Sequence, residues 1–134
     1  MPAPDGRALA ERLSTKARGD ELVLDRLIED PEVPDDVLGF HAQQAVEKLL
    51  KAALASVGAV APRTHDLGRL NDLVAAAGLD PPPAARDARR LATWAVDFRY
   101  DDFLGEELDR EWARLAVADV RAWLDAILSA PGRG

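Results

Sequence analysis

The chain has no cysteine, which excludes a disulfide framework, a thiol nucleophile and every thiolate-held zinc or iron–sulfur site. Only His41, His65 and carboxylates are left as metal ligands, and neither a metal nor another cofactor is expected. Basic residues are short: 17 Lys and Arg stand against 24 Asp and Glu, for a net charge of -7. The molecule as a whole repels polyanions, so any nucleic-acid contact has to come from a local basic patch. Long apolar runs are missing too. The uncharged stretch 52–62 is far too short to span a bilayer, and the N-terminus lacks the basic-then-apolar layout of a signal peptide. A soluble, cytoplasmic protein with no membrane contact is the expectation. No Gly-rich phosphate loop, nucleophile elbow or His-Glu-x-x-His helix occurs. Aromatics are 5% of the chain, and Trp94, Trp112 and Trp123 fall at core spacing, as packing rather than as a platform for bases.

What is abundant is alanine and leucine, 25 and 19 residues against 10 Val, 2 Ile and 3 Thr. Unbranched side chains keep rotamer freedom in a helix, so the composition favours an all-helical fold. At 134 residues with 48% hydrophobic content the chain suffices for one core. One domain over residues 1–134 is expected, with short tails at about 1–5 and 131–134.

Periodicity predicts five helices. Residues 5–29 carry Leu9, Leu13, Ala17, Leu24, Leu27 and Ile28 at helical spacing, with a bend or new N-cap at Gly19-Asp20. Pro31 and Pro34 make a connector, after which Asp35 or Asp36 caps a helix over 36–57 with Val37, Phe40, Ala45, Leu49, Ala52 and Ala53 on one face. Residues 58–63 form a loop, and Thr64 caps a short helix over 65–77 that Gly78 ends. After Pro81, Pro82 and Pro83 a fourth helix runs over 84–99 on Ala84, Ala88, Leu91, Ala95 and Phe98. The last helix follows Glu106, Glu107 and Asp109 and buries Trp112, Ala116, Val120, Trp123 and Ile127. Short connections between them imply an up-and-down antiparallel bundle of four to five helices.

Chemistry concentrates on the second helix. His41, Gln44, Lys48 and Lys51 follow at spacings of three to four residues and share a stripe, with Glu47 at its border. Ammonium, amide and imidazole groups suit a phosphate or a base edge; the plain alternative is a solvated face with a Glu47–Lys51 pair. Arg63, Thr64, His65 and Asp66 stand at the mouth of the third helix, where free N–H groups favour an anion, unless the segment only caps the helix.

The run Phe40-His41-Ala42-Gln43-Gln44-Ala45-Val46-Glu47-Lys48-Leu49-Leu50-Lys51-Ala52, then Pro62-Arg63-Thr64-His65-Asp66-Leu67, then Arg99-Tyr100, strongly resembles the HEPN domain family in order and separation. The resemblance implies a helical bundle, a homodimer as a rule, linked to nucleotide binding. It carries over His41, Gln44, Glu47, Lys48, His65, Asp66, Arg99 and Tyr100 as ligand-binding candidates and assigns no catalytic residue. Family members divide into ribonucleases and non-catalytic partners of small nucleotidyltransferases. The nuclease branch has an arginine four to six residues before a histidine, and neither histidine here has one. The expectation is a non-catalytic protein that binds a nucleotide or RNA phosphate beside a nucleotidyltransferase in a toxin–antitoxin-like pair. The alternatives are a metal-independent ribonuclease with a rearranged Arg and His, and a purely structural dimerisation module.

Overall fold

The computed structural model describes residues 4–94 and 107–130. These form α1 (Pro4–Leu27), α2 (Asp35–Ser56), α3 (Leu67–Ala76), α4 (Pro83–Asp87), a 3₁₀ helix (Ala88–Trp94) and α5 (Arg110–Ser129), with no strand among the described residues. The expected all-α bundle is what the chain builds. Gly6 lies against Ala55, and Asp20 meets His41 and Lys48, so α1 and α2 are antiparallel. Arg7 bonds the Leu128 carbonyl and Arg110 the Ile28 carbonyl, which makes α5 antiparallel to α1 and parallel to α2.

α2 is the central helix. It buries Leu38, Ala42, Ala45, Val46, Leu49, Leu50, Ala52, Ala53 and Leu54 among its neighbours, leaving one stripe outward. Small residues let the neighbours approach: a side chain on Gly39 would begin 2.5 Å from the Trp94 ring. Val37 and Phe40, expected on the inner face, lie on the outward stripe.

Two arginines fasten α5 to the rest. Arg110 donates to the Asp35 carboxylate and to the carbonyls of Ile28, Asp30 and Val33, stapling the α1–α2 connector. Arg121 is only 6% exposed and donates to Glu21, Asp125 and both oxygens of Ser14. Burial acts to lower its pKa, but hydrogen bonds and charge from Glu21 and Asp125 outweigh that and raise it.

Several expected boundaries move, each for a physical reason. α1 does not break at Gly19: Asp20 has tertiary partners, and packing overrides the weak propensity of the pair. The N-cap of α2 is Pro34 without a side-chain bond, because Asp35 serves Arg110 and the Leu108 N–H instead. Asp66, not Thr64, caps α3 by accepting from the Arg69 N–H, while Thr64 Oγ1 accepts from the Asp66 N–H. Gly78, at φ 87°, follows that helix in the left-handed region, as expected of a terminating glycine.

The expected fourth helix is α4 followed by tighter winding. Ala85, Ala88, Leu91 and Trp94 are all buried, a strict period of three that a 3₁₀ helix puts on one face and an α-helix would spread. Residues 95–99 of that expected helix lie outside the described residues. On α5 the buried stripe is Ala113, Ala116, Val117, Val120, Arg121 and Leu124. Trp112, Trp123 and Ile127 flank it, half-buried, with the Arg90 guanidinium 4.5 Å over the Trp112 ring.

Candidate functional site

The outward stripe of α2 runs through His41, Gln44, Lys48 and Lys51, and two carboxylates lie beneath its edges. Asp20, 7% exposed, comes from α1. Its Oδ1 accepts from His41 Nδ1 at 2.8 Å and its Oδ2 from Lys48 Nζ at 2.7 Å. Glu47, 5% exposed, belongs to α2 itself. Its Oε1 accepts from His65 Nδ1 at 2.9 Å and its Oε2 from Lys51 Nζ at 2.8 Å. The chain therefore builds two sets of one carboxylate, one imidazole and one ammonium, side by side on one helix.

Two glutamines back the Glu47 set. Gln43, fully buried, donates its amide at 3.2 Å both to Glu47 Oε1 and to the His65 carbonyl, which holds the 58–66 loop against α2. Gln44 Nε2 donates to Gln43 Oε1 at 2.9 Å. Burial alone would push the Glu47 carboxyl up. Hydrogen bonds from Lys51 and His65, the Lys51 charge and the Gln43 amide outweigh it and hold the pKa below the ordinary 4.5.

A carboxylate only accepts, so each imidazole carries its proton on Nδ1 and turns Nε2 away from its anchor. Among the described residues neither Nε2 has a hydrogen-bond partner, and the His41 and His65 side chains are 29% and 63% exposed. Lys48 and Lys51 are partly exposed beside them. On this face the two carboxylates and the two ammoniums balance. The two Nε2 edges face solvent on a protein that is acidic as a whole. Among the described residues no cluster of three or more histidine or acidic side chains is placed to hold a metal ion.

Of the residues singled out from the sequence, His41, Gln44, Glu47, Lys48 and His65 come together here. Asp66 is used as the cap of α3, so an anion approaching that N-terminus meets a carboxylate already in place. Arg99 and Tyr100 lie outside the described residues. Sequence reasoning missed Asp20 and Gln43. Asp20 had a signal: it interrupts the stripe of Leu13, Ala17, Leu24 and Leu27 at the spacing of that same buried face.

An all-helical bundle whose central helix carries a Gln-Gln-x-x-Glu-Lys polar stripe locked to a His-Asp loop defines a class, and the HEPN domain model matches residues 11–129 of the chain. The chain belongs to the HEPN domain family. No curated protein and no solved structure matches it. Among the described residues no helix is long and apolar enough to cross a membrane.

Proposed function

We propose that this chain, read over its whole length as one HEPN module, is a non-catalytic protein. In this reading it holds the phosphate of a nucleotide or RNA on the outward face of α2. One observation carries the reading: two imidazoles, each fixed through Nδ1 by a buried carboxylate, have no partner at Nε2 among the described residues and stand beside two partly exposed ammoniums. Fixing the groups in advance removes part of the ordering cost of binding. The family resemblance adds a small nucleotidyltransferase as partner in a toxin–antitoxin-like pair, and a homodimer. Exposed Leu9, Leu22, Val37, Phe40 and Leu115 offer apolar area for such contacts. Calorimetric titration with nucleoside triphosphates tests the binding. Heat with the wild type that disappears in Lys48→Ala and His65→Ala is expected; no heat, or equal heat in the variants, removes the reading.

A second reading, that the polar motif only locks the fold of a dimerisation module, is favoured by the internal carboxylate that each of the four cationic or protonatable groups already has. It predicts that Gln44→Ala, which leaves the buried Gln43 Oε1 without its donor, lowers stability by about 1–3 kcal/mol while no ligand binds.

A further inference from the structure

The arginines of this chain divide by location. On α5, Arg110, Arg114 and Arg121 each pair with a carboxylate, and so do Arg7 and Arg18 on α1. Among the described residues, Arg86 on α4 and Arg89 and Arg90 on the 3₁₀ helix pair with none, and all three are exposed. The winding puts them there: Ala85, Ala88, Leu91 and Trp94 are buried at every third position, which leaves the arginines on the outward side. Arg89 lays its stem across Gly68 in the first turn of α3, where a Cβ would stand 3.4 Å from its Cδ, and its Nε donates to the Arg86 carbonyl at 3.1 Å. Arg90 turns the other way, onto the half-buried Trp112 ring, and exposed Leu115 follows one turn along α5. Three guanidiniums without an acid thus border an apolar edge of α5. Arginine and tryptophan together are the residues that most often carry the energy of a protein interface.

We infer that this face, made by α4, the 3₁₀ helix and the edge of α5, docks an acidic segment of a partner protein, with carboxylates on Arg86, Arg89 and Arg90 and an apolar side chain on Leu115 beside Trp112. None of these residues belongs to the polar stripe of α2, so the two faces can be tested apart. The complementarity is one of charge and of shape: the planar guanidinium fork matches a carboxylate through two parallel bonds, and all three lysines of the chain lie elsewhere, on α1 and α2. Side-chain carboxylates fit this face better than a nucleic-acid backbone. Asp87 stands between Arg86 and Arg89, and Asp66 Oδ1 lies against Gly68 beside the Arg89 stem, so an unbroken row of phosphates meets negative charge inside the patch. The Trp112 ring is already covered by Arg90, which leaves that face closed to a stacking base. Beyond the patch the chain is acidic, at -7 overall, and that opposes a long polyanion more than a short acidic segment.

The test uses the full chain and fluorescence anisotropy at neutral pH and low salt, with three labelled probes. One is a glutamate-rich peptide with a pair of leucines one helical turn apart, the second carries serines in place of the leucines, and the third is a single-stranded RNA of equal net charge. The leucine peptide is expected to bind about tenfold more tightly than either of the others. Arg86→Glu and Arg89→Glu are each expected to weaken it by about tenfold, since each sets like charges against each other. Leu115→Asp is expected to erase the advantage of the leucine peptide over the serine one. Arg12→Glu, at an exposed arginine of α1 that also has no acid among the described residues, is expected to leave the affinity unchanged. All four substitutions fall at exposed side chains, and thermal melts check that the variants stay folded. No binding of the leucine peptide overturns the inference, as does an equal loss in Arg12→Glu and Arg86→Glu. Equal affinity for the two peptides overturns it too, because charge alone is then enough. RNA held as tightly as the leucine peptide, and released by Arg86→Glu, gives the face to nucleic acid instead.

Discussion

Replacing Glu47 by Gln is the most direct perturbation of the polar lock. The side chain is 6% exposed and keeps its shape, so packing hardly changes, but the charge is lost and Oε1 or Oε2 becomes a donor facing Lys51 or His65. A hydrogen bond to a charged group contributes about 1.5–3 kcal/mol. The His65 ring is 63% exposed, so its share is screened by solvent and most of the effect falls on Lys51. A loss of about 2 kcal/mol at neutral pH follows, which for a domain of this size lowers Tm by roughly 8 °C. The pH dependence has a definite sign. The folded pKa of Glu47 lies below the ordinary 4.5, so its contribution is complete above that value and is lost as pH falls through the folded pKa. Thermal melts of wild type and Glu47→Gln are therefore expected to differ most near neutral pH and to converge only as the pH falls through the lowered pKa of Glu47, below its ordinary 4.5. Equal melting at neutral pH, or a difference that persists undiminished in acid, refutes the account of Glu47 as the charged hub of the motif.

The remaining expectations concern the frame that presents this face. Gly39→Ala pushes a methyl group into the Trp94 ring at 2.5 Å and is expected to cost about 1–3 kcal/mol, seen in urea unfolding with a changed tryptophan emission; wild-type stability would mean Trp94 does not pack there. Arg110→Ala removes the guanidinium donors to Asp35 Oδ1 and to three carbonyls and is expected to cost about 2–4 kcal/mol by the same measurement. Leu124→Ala, at a fully buried position, is expected to cost about 2–5 kcal/mol, whereas Leu115→Ala, at 48% exposure, should stay within about 0.5 kcal/mol; the reverse order would put the buried stripe of α5 on its other side.

The number of helices was legible because alanine and leucine dominate and because prolines and glycines separate the periodic runs. Periodicity alone fixes a face only to within a residue or so. On α5 it favoured the large Trp112 and Trp123, but large rings fit at the margin of a bundle, and the close-packed interior takes Ala113, Val117 and Leu124 instead. Turn chemistry was ambiguous at Thr64 and Asp66, two good capping residues in a row; geometry decides, since only the carboxylate reaches three residues forward to the Arg69 N–H. At the site, the stripe on α2 could be read from spacing within one helix. Its partners could not: Asp20 is 21 residues before His41, and a contact across two antiparallel helices leaves no trace in local spacing beyond a charged residue on an apolar face.

The carboxylates themselves bear on the choice between a lock and a binding face. A buried ion pair is a poor source of net stability, because desolvation offsets most of the attraction and apolar residues of similar volume serve a bundle as well or better. Asp20 and Glu47 sit beneath a helix that already buries a continuous set of Ala, Val and Leu side chains, so the core has other means of cohesion. Their distinctive effect is positional: each fixes one ring in one tautomer and one ammonium beside it. A lock satisfied entirely within the protein would have no use for the outward half of either ring. Among the described residues the two Nε2 atoms have no partner, and internal packing does not account for them.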